Sequence, residues 1–277
     1  MKTTHKFTLI SSLLAASAMS SSGIIILVSD TETTSEIDDF LNANFTNVTE
    51  IRNADYANFA DPATQDALNG TGVFAGSGAA EVVIIGRNLG SGAYSGGAAD
   101  GYNALSIPVI SFTSYVSRGG VGDRLGWHDG SASNTISTIG AETTLTTEGQ
   151  AFFGIAGPVD WHESVGDSFN GLGVGPGVGT GDILATVGGQ ILIAHWDVGD
   201  APANTADADV AVFPGERLLF NLDDDGTTRS TFNSLTPAGS AALVSAIDSV
   251  SPLTAVPEPS TSLLGFLALG FLARRRR

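Results

Sequence analysis

Runs that are rich in β-branched residues mark four strands in the first half of the chain, at Ile24–Val28, Val48–Arg52, Glu81–Gly86 and Ile107–Phe112. Most of these runs are continuously apolar, which is typical of strands that are buried on both faces of a sheet. The sequence between them predicts helices over Ser35–Leu41, Asp61–Leu68 and Tyr94–Leu105. Strands that alternate with helices predict an α/β fold, with a mostly parallel sheet that helices cover on both faces.

The pattern changes after Arg118, where the sequence becomes rich in Gly, Ser and Thr. This β-rich, Gly-rich second half is predicted to contain strands at Ile183–Val187, Gln190–Trp196, Val210–Phe213 and Arg217–Leu222. The last two are predicted to pair as a hairpin across Pro214-Gly215, and a closing helix is expected to begin at Pro237. We therefore expect a single α/β domain over residues 22–250, with a loop-rich insertion around residues 119–181 and a linker over residues 251–259.

The net charge of this domain excludes some classes of binding partner. Residues 22–256 contain six arginines, no lysine and twenty-eight carboxylates, which gives a formal charge of −22. So acidic a chain repels phosphate backbones, and nucleic acid is excluded as a partner. The charge suits solubility in a salty exterior; a second interpretation is that carboxylate clusters bind divalent cations. There is no cysteine, which excludes disulfides, thiol nucleophiles and cysteine-ligated metals.

The first twenty-one residues have the parts of a secretory signal peptide. Lys2 and Lys6 supply a basic start, and the largely apolar segment Phe7–Ala16 follows them. Ala16-Ser17-Ala18 then offers an A-x-A cleavage site. This order predicts export and a mature N-terminus near Met19.

The carboxyl-terminal segment combines a Pro-x-Pro spacer, a short apolar run and a basic cluster. Its residues are Val256–Thr261, then Leu263–Ala273, then Arg274, Arg275, Arg276 and Arg277. A terminal basic cluster resists translocation and stays in the cytoplasm, so the domain is expected on the far side of the membrane. The apolar segment, residues 262–273, is shorter than the ~20 residues that span a bilayer comfortably.

This segment, residues 256–277, resembles the PEP-CTERM signal of Gram-negative bacteria. The resemblance implies an exosortase-type processing enzyme as a partner, with cleavage near Pro257, Glu258 and Pro259. It also implies that the tail holds the protein in the membrane only transiently. After cleavage the protein is expected at the cell surface or outside the cell.

The body of the chain resembles the class I glutamine amidotransferase-like fold, which is flavodoxin-like in outline. The resemblance rests on Ile107–Thr113, and on Arg217–Phe220 followed by Leu235–Gly239, which is similar to the non-catalytic ThuA-like branch. Catalytic members have a cysteine in the turn where this chain has Thr113. Because the chain has no cysteine, the resemblance does not imply glutamine hydrolysis.

Two arginines are candidates for a ligand site at the end of the predicted sheet. Arg87 follows the third strand and Arg118 follows the fourth, and ligands of parallel α/β sheets bind beyond the carboxyl ends of strands. Hydroxyl groups accompany them on Ser91, Tyr94 and Tyr115. The pattern predicts a polar pocket for an anionic or hydroxylated ligand. The alternative is that each arginine pairs with one of the many carboxylates nearby.

Each of the three tryptophans lies beside a histidine and near an acid. The histidines are His128, His162 and His195. If the three loops meet, the imidazoles could bind zinc, or the indoles could form a platform for a sugar. Otherwise each tryptophan anchors the end of a strand and each histidine is a neighbour with satisfied hydrogen bonds.

A second candidate metal site begins at Asn221, where the sequence matches the start of a calcium loop through Asp223 and Asp225. The match fails at the twelfth position, where Phe232 replaces the bidentate glutamate of such loops. An acidic turn is the alternative. No cofactor is required by the sequence, and calcium or zinc are the only candidates.

These observations predict an exported protein that is sorted to the cell surface through a PEP-CTERM tail. Its domain is predicted to be a non-catalytic ligand-binding or structural module of an extracellular matrix, such as that of a biofilm, with extracellular polysaccharide as a candidate partner. The alternative is an extracellular carbohydrate-active hydrolase that uses the Trp/His/Asp loops.

Overall fold

The computed structural model describes residues 24–28, 36–51, 61–86, 94–112, 124–129, 133–137, 143–161, 168–172, 177–187, 189–221, 232 and 235–250. The strands are β1 Ile24–Val28, β2 Val48–Ile51, β3 Ala80–Ile85, β4 Val109–Ser111, β5 Ser133–Ser137, β6 Thr144–Leu145, β7 Ser168–Leu172, β8 Asp182–Val187, β9 Gln190–Trp196 and β10 Arg217–Phe220. The helices are α1 Glu36–Asn44, α2 Pro62–Asn69, α3 Gly97–Asn103, α4 Thr147–Phe153, α5 Thr205–Ala208 and α6 Pro237–Val250.

The described strands form one mixed sheet, with the order β2-β1-β3-β4-β10-β9-β7-β5. Strand β8 pairs with β9 and with β6, beside this path. The first five strands of the order are parallel, and β9 continues the sheet in the antiparallel sense. The predicted α/β fold, with a parallel half and an added β-rich half, is therefore confirmed.

The parallel half has the neighbours that the apolar runs predict. Strand β1 pairs with β3, and β3 pairs with β4, all in the parallel sense. Strand β1 lies inside the sheet because β2 covers its other side. The fifth parallel strand, β10, comes from the far end of the domain and pairs with β4.

Two layers of apolar side chains cover the sheet. Layer A lies on the face covered by α1, α4 and α6, and Leu41, Phe153 and Leu243 belong to it. Layer B lies on the face covered by α2 and α3, and includes Ala67 and Tyr102. Successive residues of β3, β4 and β10 enter opposite layers, as Ile84 and Ile85 of β3 do. Apolar side chains on both faces explain why the strand sequences show no polar alternation.

Local signals fix where the helices start and how closely they pack. Asp61 caps α2 by accepting hydrogen bonds from the N–H groups of Ala63 and Thr64. Thr146 caps α4 through the N–H of Gly149. Gly149 also sets the distance between α4 and β8, because a Cβ atom there would lie 1.9 Å from the carbonyl oxygen of Leu184.

The predicted hairpin of residues 210–213 with 217–222 is wrong. Residues 210–213 form no strand, and β10 pairs with β9 and β4 instead. The apolar character of this segment has a different cause: Phe213 is a fully buried anchor whose ring packs against Trp127 and Trp196.

Candidate functional site

The five parallel strands end level with one another. Cross-strand partners form one row, from Ile51 through Val28, Ile85 and Ser111 to Leu219. We call this side of the sheet, where the parallel strands end, the carboxyl edge, and the opposite side the amino edge. The segments that leave β1, β2, β3, β4 and β10 therefore all start at one edge, which is where parallel α/β sheets bind ligands.

The connections fix the switch point of the topology. From β1 the chain passes to β2 on one side, through α1 over layer A, and then returns to β3 on the other side through α2 over layer B. The crevice that such a reversal opens lies between the ends of β1 and β3. Segment 87–93, which follows β3, starts beside this crevice, whereas segment 113–123 starts one strand further along.

Four of the eight predicted ligand-binding residues belong to these two segments. Arg87, Ser91, Tyr115 and Arg118 fall outside the described residues, as do His162, Asp223 and Asp225. The described residues Gly86 and Phe112 show where segments 87–93 and 113–123 leave the sheet. The N–H of Gly86 donates to the carbonyl of Val28, and that of Phe112 donates to the carbonyl of Ile85.

Tyr94 is the predicted ligand-binding tyrosine that the structure describes. It is fully buried in layer B, and its ring lies 5.7 Å from that of Tyr102 on α3. The phenol therefore anchors the point where segment 87–93 joins α3. Burial among apolar groups raises the pKa of the neighbouring Tyr102 above its ordinary value.

A buried amide holds the point where the chain returns after segment 113–123, and no pattern in the sequence predicts it. Asn103 of α3 donates from Nδ2 to the carbonyl oxygens of Leu125 and Ala208, at 3.0 Å each. Its Oδ1 accepts a hydrogen bond from Nε1 of Trp127, at 2.8 Å. Buried amides are costly unless they are bonded, and here three partners offset that cost. The chain is thus pinned where it returns from the carboxyl edge.

Asn221 ends β10 at the carboxyl edge and is also fully buried. Its N–H donates to the carbonyl of Leu192 and its Nδ2 donates to that of Ile191. Among the described residues, no donor bonds to the Oδ1 atom. A buried acceptor of this kind is commonly bonded to an ordered water.

The structure divides the three tryptophans between the two faces of the sheet. Trp127 and Trp196 pack together in layer B, with ring centroids 5.7 Å apart. Trp161 lies in layer A, against Phe153 and Phe220. All three are buried, so their indoles belong to the core and offer no exposed face on which a sugar could stack.

The two described histidines have different neighbours. His128 is buried, and a Cβ atom on Gly177 would lie 2.6 Å from its Nε2. The His195 ring packs on Phe152, which borders layer A, and its Nε2 lies 3.7 Å from Oε2 of Glu216. Among the described residues, no group of three His, Asp or Glu side chains is placed to hold a metal ion.

Arg217 opens β10 at the amino edge and is fully buried. Its guanidinium donates to five carbonyl oxygens, those of Tyr102, Asn103, Leu105, Ile107 and Glu216. Burial lowers the pKa of Arg217 to about 9. The carbonyls at the end of α3 carry the negative end of the helix dipole, which compensates the charge without a carboxylate. This arginine therefore ties α3 to the sheet.

Residues 255–277 match the PEP-CTERM protein-sorting motif. The motif supports export, processing by an exosortase-type enzyme and a transient C-terminal membrane anchor before sorting. In the part of the chain that the structure describes, no helix is long and apolar enough to cross a membrane. The PEP-CTERM tail itself lies outside the described residues.

The fold of the body is similar to that of a solved structure, the cytoplasmic protein STM1381 from Salmonella typhimurium LT2. The TM-score is 0.52 at 11% identity, over 82% of this chain and 99% of that one. At this identity the likeness concerns the fold alone. No curated protein shows significant similarity to the chain.

Two further structures are more distant. The cytoplasmic protein STM3548 from Salmonella typhimurium has a TM-score of 0.41 at 10% identity, over 83% of this chain and 99% of that one. Agd3, described as a novel carbohydrate deacetylase, has a TM-score of 0.39 at 13% identity, and the match covers 81% of this chain and 32% of Agd3. The ThuA-like and amidotransferase-like resemblance is not confirmed by these comparisons.

Proposed function

We propose that this exported protein displays a non-catalytic ligand-binding domain, with its binding site at the carboxyl edge of the sheet. One observation carries the proposal: β3 and β4 are parallel neighbours that end level, at Ile85 and Ser111. The segments with Arg87 and Arg118 therefore begin side by side. Two cations in a domain of charge −22 create a local positive patch, which favours a small anion or an acidic, hydroxylated ligand.

One or two acidic sugar units of an extracellular polysaccharide fit this chemistry, because they combine a carboxylate with hydroxyls and avoid the repulsion that a long polyanion meets from a domain of charge −22. Arginine pairs with carboxylates through two parallel hydrogen bonds, and the hydroxyls of Ser91 and Tyr115 suit the sugar ring. Electrostatic binding of this kind weakens as salt screens the charges, whereas binding of a neutral sugar changes little.

The test compares two disaccharides, the oligogalacturonate digalacturonate and the neutral cellobiose, by calorimetry at low and high salt. We expect the oligogalacturonate to bind and its affinity to fall with salt. Arg87→Ala and Arg118→Ala should each lower that affinity about tenfold or more, the loss of one charge-assisted bidentate contact. Arg52→Ala is the matched control, because it removes the same charge from the segment after β2.

Two results would contradict the binding proposal. One is that neither oligosaccharide binds. The other is that Arg52→Ala reduces the affinity as much as the other two variants do, which would show only the effect of net charge. Unfolding temperatures of the three variants should remain within a few degrees of that of the wild type.

Processing is tested separately by the intact mass of the protein from its native host. We expect a chain that begins near Met19 and lacks Arg274–Arg277. Recovery of the whole 277-residue chain from the cell surface would exclude cleavage of both terminal segments.

A further inference from the structure

The domain begins and ends at its amino edge. Strand β1 starts there, and the N–H of Ile25 donates to the carbonyl of Asn47, in the turn between α1 and β2. Helix α6 starts at the opposite edge, because the N–H of Thr236 donates to the carbonyl of Trp161 and the Trp161 ring packs on Phe220, the last residue of β10. Helix α6 therefore starts at the carboxyl edge, and the length of the strands separates its start from the amino edge.

Helix α6 lies on the sheet along its whole length. Its buried residues recur from Gly239 to Val250, and those with apolar side chains belong to layer A. Fourteen residues of helix span about 21 Å, and a six-residue strand spans about 20 Å. A helix that starts at the carboxyl edge and stays on the sheet for this distance ends near the amino edge. The chain consequently leaves the domain toward its sorting tail at the amino edge.

The exposed large apolar side chains of the described residues lie at this same edge. Val73 is 86% exposed in the turn between α2 and β3, and Val198 and Val212 are 64% and 50% exposed between β9 and β10. The last two are neighbours, since the N–H of Gly199 donates to the carbonyl of Phe213. Segments 70–79 and 104–108, which also border this edge, contain no charged residue.

The connection between the domain and the apolar run of the tail is short. Twelve residues, 251–262, separate Val250 from Leu263. Fully extended, they reach about 40 Å, and as a relaxed coil about 20 Å. A domain of this size has a diameter of about 45 Å. The relaxed linker covers less than half of that diameter, whereas turning the domain over would hold the linker close to its full extension. The linker therefore favours the arrangement in which the amino edge lies next to the membrane.

We propose that, while the tail is inserted, the amino edge faces the membrane and the carboxyl edge points away from it. Val73, Val198 and Val212 then touch the headgroup region, and the proposed ligand site stays open to the exterior. The partner of this surface is a lipid bilayer without net charge, because Asp197, Asp200 and Asp209 lie near the exposed valines and repel anionic lipid. The proposal rests on the transient membrane anchor that the PEP-CTERM motif supports, and on the ligand site of the proposed function.

The absence of cysteine allows a direct test by single-cysteine labelling. The exported form, Met19–Arg277, is inserted into phosphatidylcholine vesicles with a fluorescent label on Val73→Cys, Val198→Cys or Ala238→Cys. Ala238 is exposed in the first turn of α6, at the carboxyl edge. Energy transfer to acceptors on the lipid headgroups should be at least about twofold greater from positions 73 and 198 than from 238, since the edges are ~20 Å apart.

A variant with twenty Gly/Ser residues inserted after Val250 is the matched control for the linker. It should still float with the vesicles but show equal transfer from all three positions. Equal transfer in the chain with the natural linker, or greater transfer from position 238, would overturn the orientation while the anchoring holds. If the chain does not float with the vesicles, the anchoring itself is refuted, and the orientation with it.

Discussion

The indole Nε1 of Trp127 donates a hydrogen bond to Oδ1 of Asn103, and this contact joins the chain that returns from the carboxyl edge to helix α3. The same amide donates to the backbone carbonyls of Leu125 and Ala208, so one side chain makes three hydrogen bonds to segments outside α3. The packing of Trp127 on Trp196 and Phe213 depends on this arrangement.

The first prediction concerns this amide. Asn103→Ala leaves the Trp127 indole and the carbonyls of Leu125 and Ala208 buried without partners, at about 1–3 kcal/mol for each unsatisfied group. We expect a loss of about 3 kcal/mol or more in the free energy of unfolding, measured by urea titration, and a change in tryptophan fluorescence. Asn69→Ala is the control, because Asn69 bonds only to the carbonyl of Gln65 one turn earlier on the exposed face of α2. Equal stability of the two variants would contradict the role assigned to Asn103.

The second prediction compares two glycines that both lie in helices. A Cβ atom on Gly149 would collide with the carbonyl of Leu184, whereas one on Gly97 would meet no atom within 4 Å. Gly149→Ala should therefore cost about 1–3 kcal/mol through overpacking. Gly97→Ala should be neutral or stabilise by up to about 1 kcal/mol, because alanine favours the helix. Thermal unfolding of the two variants checks this, and a shared increase in the unfolding temperature would show that α4 can move away from β8.

The third prediction concerns alkaline pH. Burial raises the pKa of Tyr102 above its value in the unfolded chain, which is near 10. The folded state then keeps a proton that the unfolded state loses, so this phenol's contribution to stability is complete below pH 10 and falls as the pH rises further. The slope is about 1.4 kcal/mol per pH unit. Between pH 9.5 and 11, Tyr102→Phe should therefore lose less stability than the wild type.

The lowered pKa of Arg217 acts in the opposite sense, because above about pH 9 the folded state releases a proton that the unfolded state keeps. This contribution is present in both the wild type and Tyr102→Phe, so it cancels in the comparison. Urea midpoints at several pH values give the two curves. Parallel curves would mean that the Tyr102 phenol ionises equally in both states.

The sequence predicted those parts of the fold that depend on burial alone. Strands β1, β3 and β4 are apolar on both faces, and that pattern is sufficient to place them as parallel neighbours. Strands β5 and β7 were not predicted, because SNTIS and SFNGL are polar or Gly-containing and are paired through their backbones. The position of β10 in the sheet could not be predicted either, because its parallel partner β4 lies far from it in the sequence.

The sequence predicts where the candidate site lies in the fold, but it does not predict which side chains contact one another there. Adjacent strand ends follow from topology, so the edge at which β3 and β4 end could be predicted. The roles of Asn103 and Arg217 could not, since an amide in a short helix and an arginine at the start of a strand both suggest exposure. Both side chains can be buried because backbone carbonyls from segments distant in the sequence accept their hydrogen bonds.

The place of β10 has a consequence for secretion. Arg217 bonds to the carbonyl of Ile107, 110 residues earlier in the chain. A polypeptide that leaves a translocation pore with its N-terminus first cannot complete its parallel sheet until this late strand has emerged. Only the closing helix and a short linker then remain before the tail enters the membrane. The newly exported chain is therefore still tethered when its last strand is inserted, and long-range pairing is the slow step of such folds. Tethering keeps the unfinished sheet edge away from other copies during the interval in which it is most prone to aggregate.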